Sequence, residues 1–191
     1  MAKLSTNEIR PGSKLLVDNV PCSVVVNEAI KPGKGQAFNR IRMKNIQTGR
    51  VIERTYKSGE SIDAADIQEV ELQFLYADGE HFIFMDPENY EQVYVPIQVM
   101  DDTALWVKEQ DICVITLWDD KPIGVLPPMF VTRRIVECEP AVRGDTVTGV
   151  MKNAVIETGA TVKVPLFVSL DDLIRVDTRT GEYVSRMKDE A

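Results

Sequence analysis

Apolar and polar positions alternate along most of this chain in short runs broken by turn residues, the period-two pattern of half-buried strands. Val24-Val25-Val26 leads into a turn at Lys31-Pro32-Gly33-Lys34-Gly35. From Phe38 to Lys44 the chain alternates, with Ile41 and Met43 on one face and Arg40, Arg42 and Lys44 on the other. Gln47-Thr48-Gly49 turns it back through Arg54 and Tyr56. Val70, Leu72, Phe74 and Tyr76 then share a face, Ala77-Asp78-Gly79-Glu80 makes a hairpin, and His81 to Met85 returns. Ile112 to Trp118 and Ile123 to Leu126 flank a turn containing Asp119, Asp120 and Pro122. Pro127-Pro128 breaks strand pairing and reads as a linker. The last third offers strands at Phe130 to Val136 and Val162 to Val168, a loop over residues 142–146 and a closing hairpin at Arg179-Thr180-Gly181-Glu182. Only Asp101 to Lys108 reads as a short helix, with Asp101 or Asp102 as N-cap. The pattern predicts an all-β protein made of small barrels.

Charge adds a polarity that the alternation does not show. The formal net charge is −8 over 191 residues, yet residues 1–65 carry +5, residues 66–130 carry −12 and residues 131–191 carry −1. A phosphate backbone is attracted to the first third and repelled by the second, so a nucleic-acid contact is expected to be polarised along the molecule. The chain has no apolar run of membrane-spanning length and no signal-peptide pattern behind Met1, which places it in the cytoplasm as an expectation. Cys22, Cys113 and Cys138 are odd in number and set among apolar residues, as reduced and partly buried thiols are.

Catalytic chemistry is sparse. His81 is the single histidine and lies in an apolar hairpin, which leaves no paired-histidine metal site. The pairs Asp101-Asp102, Asp119-Asp120 and Asp171-Asp172 sit where turns and helix starts use aspartate. No residue is assigned as catalytic and no metal is expected. Gly33-Lys34-Gly35 lacks the spacing and the hydroxyl residue of a phosphate-cradling loop, and no helix follows it. Pro32 restricts its own φ and the glycines on both sides of Lys34 permit a positive φ, so the lysine projects from a tight tip between two strands. An exposed amine there suits modification or insertion into a partner better than Schiff-base chemistry.

Three segments carry a resemblance: Lys31-Pro32-Gly33-Lys34-Gly35-Gln36-Ala37-Phe38, Val164-Pro165-Leu166-Phe167-Val168, and Val176-Asp177-Thr178-Arg179-Thr180-Gly181-Glu182-Tyr183-Val184-Ser185-Arg186. Together they resemble bacterial translation elongation factor P over essentially the whole chain. The resemblance implies an L-shaped arrangement of an SH3-like basic barrel at 1–65, an acidic OB-type barrel at 66–128 and a second OB-type barrel at 129–191. It implies a factor that binds both ribosomal subunits beside peptidyl-tRNA and relieves stalling at consecutive prolines. Lys34 aligns with the modified position, commonly a β-lysyl extension placed by a dedicated enzyme, with Lys31, Pro32, Gly33 and Gly35 as its scaffold. Gly144, Asp145 and Thr146 match the loop facing messenger RNA, and Tyr183 and Arg186 belong to a motif for which an RNA contact is expected. Arg40, Arg42 and Lys44 are the expected tRNA or rRNA contacts. No cofactor beyond the covalent group, no membrane and a monomeric state complete the expectation. Two positions depart from the family pattern: Val147 follows Gly144-Asp145-Thr146 where a small residue is common, and Asp171 precedes Asp172 where glycine is common. The competing readings are a general single-strand RNA-binding protein of OB type and a paralogous factor acting on other stalls.

Overall fold

The computed structural model describes residues 2–140 and 149–188, so Gly144, Asp145, Thr146 and Val147 lie outside the described residues. By packing, the chain divides into two compact units, Met1–Glu69 with Thr116–Gly124, and Val70–Ile115 with Val125–Ala191.

The first unit begins with β1 (Lys3–Ser5), β2 (Lys14–Val17), β3 (Val20–Ile30), β4 (Phe38–Asn45), β5 (Val51–Lys57) and β6 (Ser61–Asp63). Strands β2 to β5 form an antiparallel sheet in chain order, and β1 pairs with β6 in a ribbon of its own. The β2–β3 hairpin turns on Asp18 and Asn19, both at positive φ (51° and 60°), the geometry that matches strand twist in a two-residue connection. Leu15, Cys22, Val24, Ile41 and Met43 meet with Ile9 and Ile62 in one buried core. Alternation in β4 is as the sequence predicts: Ile41 and Met43 are buried, and Arg40, Arg42 and Lys44 are exposed.

The next strands are β7 (Ile67–Ala77), β8 (His81–Met85), β9 (Gln92–Pro96), β10 (Ile112–Trp118) and β11 (Lys121–Leu126), ordered β11-β10-β7-β8-β9 in one sheet. At the β7–β8 hairpin, Asp78 Oδ1 accepts hydrogen bonds from the backbone N–H of Glu80 (2.9 Å) and His81 (2.7 Å), and Gly79 takes φ 97°. These bonds hold the Asp78 carboxyl below its usual pKa, because they favour the charged form. Asp119 and Asp120 both take positive φ and alone make the β10–β11 turn; Pro122 lies inside β11 rather than in the turn.

Two further expectations fail in this region. The face shared by Val70, Leu72, Phe74 and Tyr76 is interrupted, because β7 carries a bulge between Phe74 and Tyr76: Phe74 opposes Phe84, but Tyr76 opposes Ile83. One extra residue reverses the alternation, so Phe74 is buried while Tyr76 is exposed. The helix also starts earlier than expected. α1 spans Ile97–Met100 behind Pro96, and a 3-10 turn follows over Asp101–Leu105. Asp101 therefore closes the α-turn at φ 43° instead of capping an N-terminus, and neither Asp101 nor Asp102 makes a side-chain cap.

Strands β12 (Phe130–Cys138), β13 (Met151–Ile156), β14 (Thr161–Pro165), β15 (Leu173–Asp177) and β16 (Glu182–Met187) form the last sheet, ordered β14-β13-β12-β15-β16. Its core gathers Val131, Ile135, Ile156, Val162, Val164 and Ile174. The strand expected to run from Val162 to Val168 stops at Pro165, where the Val168 N–H folds back onto the Pro165 carbonyl at 3.1 Å. Asp171 adopts φ 66°, a conformation that aspartate tolerates and that glycine adopts freely. Cys22 and Cys113 are buried and Cys138 is half-buried, all as free thiols; burial raises the Cys113 pKa to about 12, the value of an inert thiol.

Candidate nucleic-acid and ribosome-facing site

Lys34 stands at the tip of a seven-residue connection between β3 and β4, whose last ladder pair is Ile30 with Phe38. Residues 31–36 are all exposed, and no hydrogen bond or ion pair within the described residues holds either Lys31 or Lys34. Only one of the two flanking glycines is used as expected. Gly35 takes φ 131°, which restricts the position to glycine, whereas Gly33 has no positive φ and open space where a Cβ would stand.

The base of this hairpin is anchored by polar groups that carry no motif in the sequence. Asn27 on β3 donates its amide to the carbonyls of Thr6 and Ile9, each at 2.9 Å. Asn39 on β4, 2% exposed, donates to Asn27 Oδ1 at 3.0 Å. Thr6 in turn accepts from the Gly59 N–H at 2.8 Å through its hydroxyl oxygen. One signal was available: Asn39 occupies the inward phase set by Ile41 and Met43, where an unpaired amide is costly. Asn27→Ala removes the donor to two carbonyls and the acceptor of the Asn39 amide, and is expected to destabilise the protein by about 1–3 kcal/mol in urea unfolding.

The outward face of β4 brings Arg40, Arg42 and Lys44 together, but not as an uncompensated basic ladder. Glu53 on β5 lies between the two arginines, 3.7 Å from Arg40 Nε and 3.6 Å from Arg42 Nε, and Glu28 opposes Arg40 from β3. Both ion pairs are about half exposed, so they are weak. Lys44 has no ion pair among the described residues.

Tyr183 and Arg186 fall apart in role. Tyr183 packs against the core of the last sheet, while Arg186 lies 5.6 Å from the centre of the exposed Phe167 ring and 3.6 Å from the Asp172 carboxylate. His81 packs edge-on against Tyr94 and sits 3.8 Å from Asp78, a structural setting. Among the described residues no cluster of His, Cys, Asp or Glu suits a metal ion.

Family models cover nearly all of this frame in order. Residues 5–62 match the elongation factor P (EF-P) KOW-like domain, 67–125 the elongation factor P OB domain, and 131–186 the elongation factor P C-terminal domain. The chain belongs to the elongation factor P family. It is thus a translation elongation factor, and the all-β architecture of KOW-like and OB domains is that of the strands described above. Two solved structures share the fold. Eukaryotic translation initiation factor 5A from Methanococcus jannaschii is 20% identical, with a TM-score of 0.53 over 66% of this chain and 92% of its own. A translation initiation factor eif-5a family protein from Naegleria fowleri ATCC 30863 is 16% identical, with a TM-score of 0.52 over 65% of this chain and 97% of its own. Within the elongation factor P frame, the Lys34 hairpin falls in the KOW-like domain. No described helix is long and apolar enough to cross a membrane.

Proposed function

We propose that this elongation factor P family member binds the ribosome beside peptidyl-tRNA and promotes peptide-bond formation at consecutive prolines, with Lys34 directed at the tRNA acceptor end. The observation that carries this reading is an exposed, unpaired lysine on a hairpin whose base is pinned by partly buried hydrogen bonds. Proline is a slow acceptor because its ring locks φ and its nitrogen is secondary, so productive alignment is scarce. A cation on a firm support lowers the barrier by orientation, without any proton transfer from the factor. A covalent extension of Lys34, of β-lysyl type, lengthens the reach, and its modifying enzyme is a second partner. The reading includes barrels at 1–65, 66–128 and 129–191, a monomeric state, a cytoplasmic location, and a messenger-facing loop at Gly144, Asp145 and Thr146. Reconstituted translation of a message with consecutive prolines, with and without the protein, tests it: faster synthesis through the proline stretch only is expected, and an equal effect on every message overturns it. Intact-mass and fragment spectrometry across residues 31–42 of the protein from its own cell tests the extension.

Arg40, Arg42 and Lys44 supply phosphate contacts in this reading, by exchanging Glu53 for RNA. Arg42→Gln is expected to weaken ribosome binding and to reduce the slope of log affinity against log salt by about one, the signature of one lost phosphate contact. Binding curves over a range of salt measure this, and an unchanged slope removes Arg42 from the interface.

A further inference from the structure

The bulge that turns Tyr76 outward creates a surface the translation reading does not use. The register of β7, β8 and β9 sets Tyr76, Ile83 and Tyr94 in one row across three strands. Tyr76 and Tyr94 are 49% and 53% exposed, whereas Ile83 between them is 0% exposed. Phe74 and Phe84 pack together on the opposite, inward face, their ring centres 5.3 Å apart. The Tyr94 ring is held in place, with His81 edge-on at 6.2 Å and its hydroxyl donating to Gln92 Oε1 at 3.3 Å. Two aromatic faces therefore stand in water over an apolar floor.

The charge around them limits what covers them. Within the unit that holds these strands, residues 70–107 contain no lysine or arginine and eight Asp or Glu, with Asp78 and Glu80 on the hairpin that joins β7 to β8. Aromatic platforms for single-stranded RNA need basic walls, which this segment lacks, and an anionic membrane or the same face of a second copy meets repulsion of like sign. A cationic side chain meets no lysine or arginine from this segment. It gains twice, from the acidic surroundings and from the negative faces of the tyrosine rings.

We propose that the outer face of β7, β8 and β9 docks a Lys/Arg-rich segment of a protein partner, with its cations seated on Tyr76 and Tyr94. The proposal rests on this face alone and does not depend on the role of Lys34. The test is an NMR titration of the isotope-labelled full chain with acetyl-Arg-Gly-Arg-Gly-Arg-amide, its citrulline counterpart and hexauridylate. Expected are shifts centred on Tyr76, Ile83 and Tyr94 with the arginine peptide only. Tyr76→Leu/Tyr94→Leu, which keeps an apolar side chain at both positions, is expected to weaken binding about tenfold, and Tyr76→Phe/Tyr94→Phe to leave it within about twofold. The proposal is overturned by shifts that map elsewhere, by equal binding of the citrulline peptide, by hexauridylate binding at this face, or by wild-type affinity in the leucine variant. Sedimentation showing that the chain self-associates through this face also overturns it.

Discussion

Lys34→Ala is expected to abolish relief of stalling at consecutive prolines while ribosome affinity falls only modestly. The exposed side chain makes no hydrogen bond or ion pair within the described residues, so its removal is expected to leave the hairpin, the Asn27–Asn39 anchor and the core of Ile41 and Met43 as they are. Nothing in the fold is lost, and unfolding in denaturant is expected to be unchanged within about 0.5 kcal/mol, as for other surface positions. In the proposed function, what is lost is the group that aligns the acceptor end, a contribution to rate and not to docking. The measurement is the rate of peptide-bond formation at saturating factor, with binding followed separately. Undiminished rates through a proline stretch remove Lys34 from the mechanism; loss of rate together with loss of binding makes it a docking residue instead.

Arg133→Met is expected to cost about 3–5 kcal/mol of stability. Arg133 lies on β12 and is 4% exposed. Its guanidinium pairs with the Asp111 carboxylate and donates to the Trp106 carbonyl at 2.7 Å and the Thr132 carbonyl at 2.9 Å. The segment before β10 is thereby tied to the last sheet, with Lys108 to Glu157 (2.7 Å) and Thr158 to the Leu105 carbonyl (2.6 Å) reinforcing it. Methionine fills the volume of the stem but leaves a largely buried Asp111 carboxylate without its cation, and that uncompensated charge dominates the cost. Removing both charges, in Arg133→Met with Asp111→Leu, is expected to recover much of the loss. Urea unfolding of the two variants measures the difference, and equal destabilisation shows that packing rather than charge holds this contact.

Legibility in the sequence followed locality. The alternation from Phe38 to Lys44 was readable because β4 has no bulge, so its period of two runs from end to end and places the arginines outward. The Asp78-Gly79 turn was readable because its hydrogen bonds close within four residues. Tyr76 was misplaced because a bulge is a property of the pair β7 and β8, and nothing in the residues from Val70 to Tyr76 marks it. The early start of α1 was hidden behind Pro96, and the aspartates that looked like caps serve the turn after it.

By itself, the sequence determined the all-β class, the lysine-tipped turn, the charge division and the family, since each depends on residue type and spacing along the chain. Only the tertiary structure decided that Glu53 divides the arginines, that Asn27 and Asn39 pin the hairpin base, that Arg133 finds Asp111, and that two tyrosines face water. Each of those depends on how one segment is set against another, not on spacing within one. Their register is set by the summed burial of whole faces, a quantity no local pattern contains.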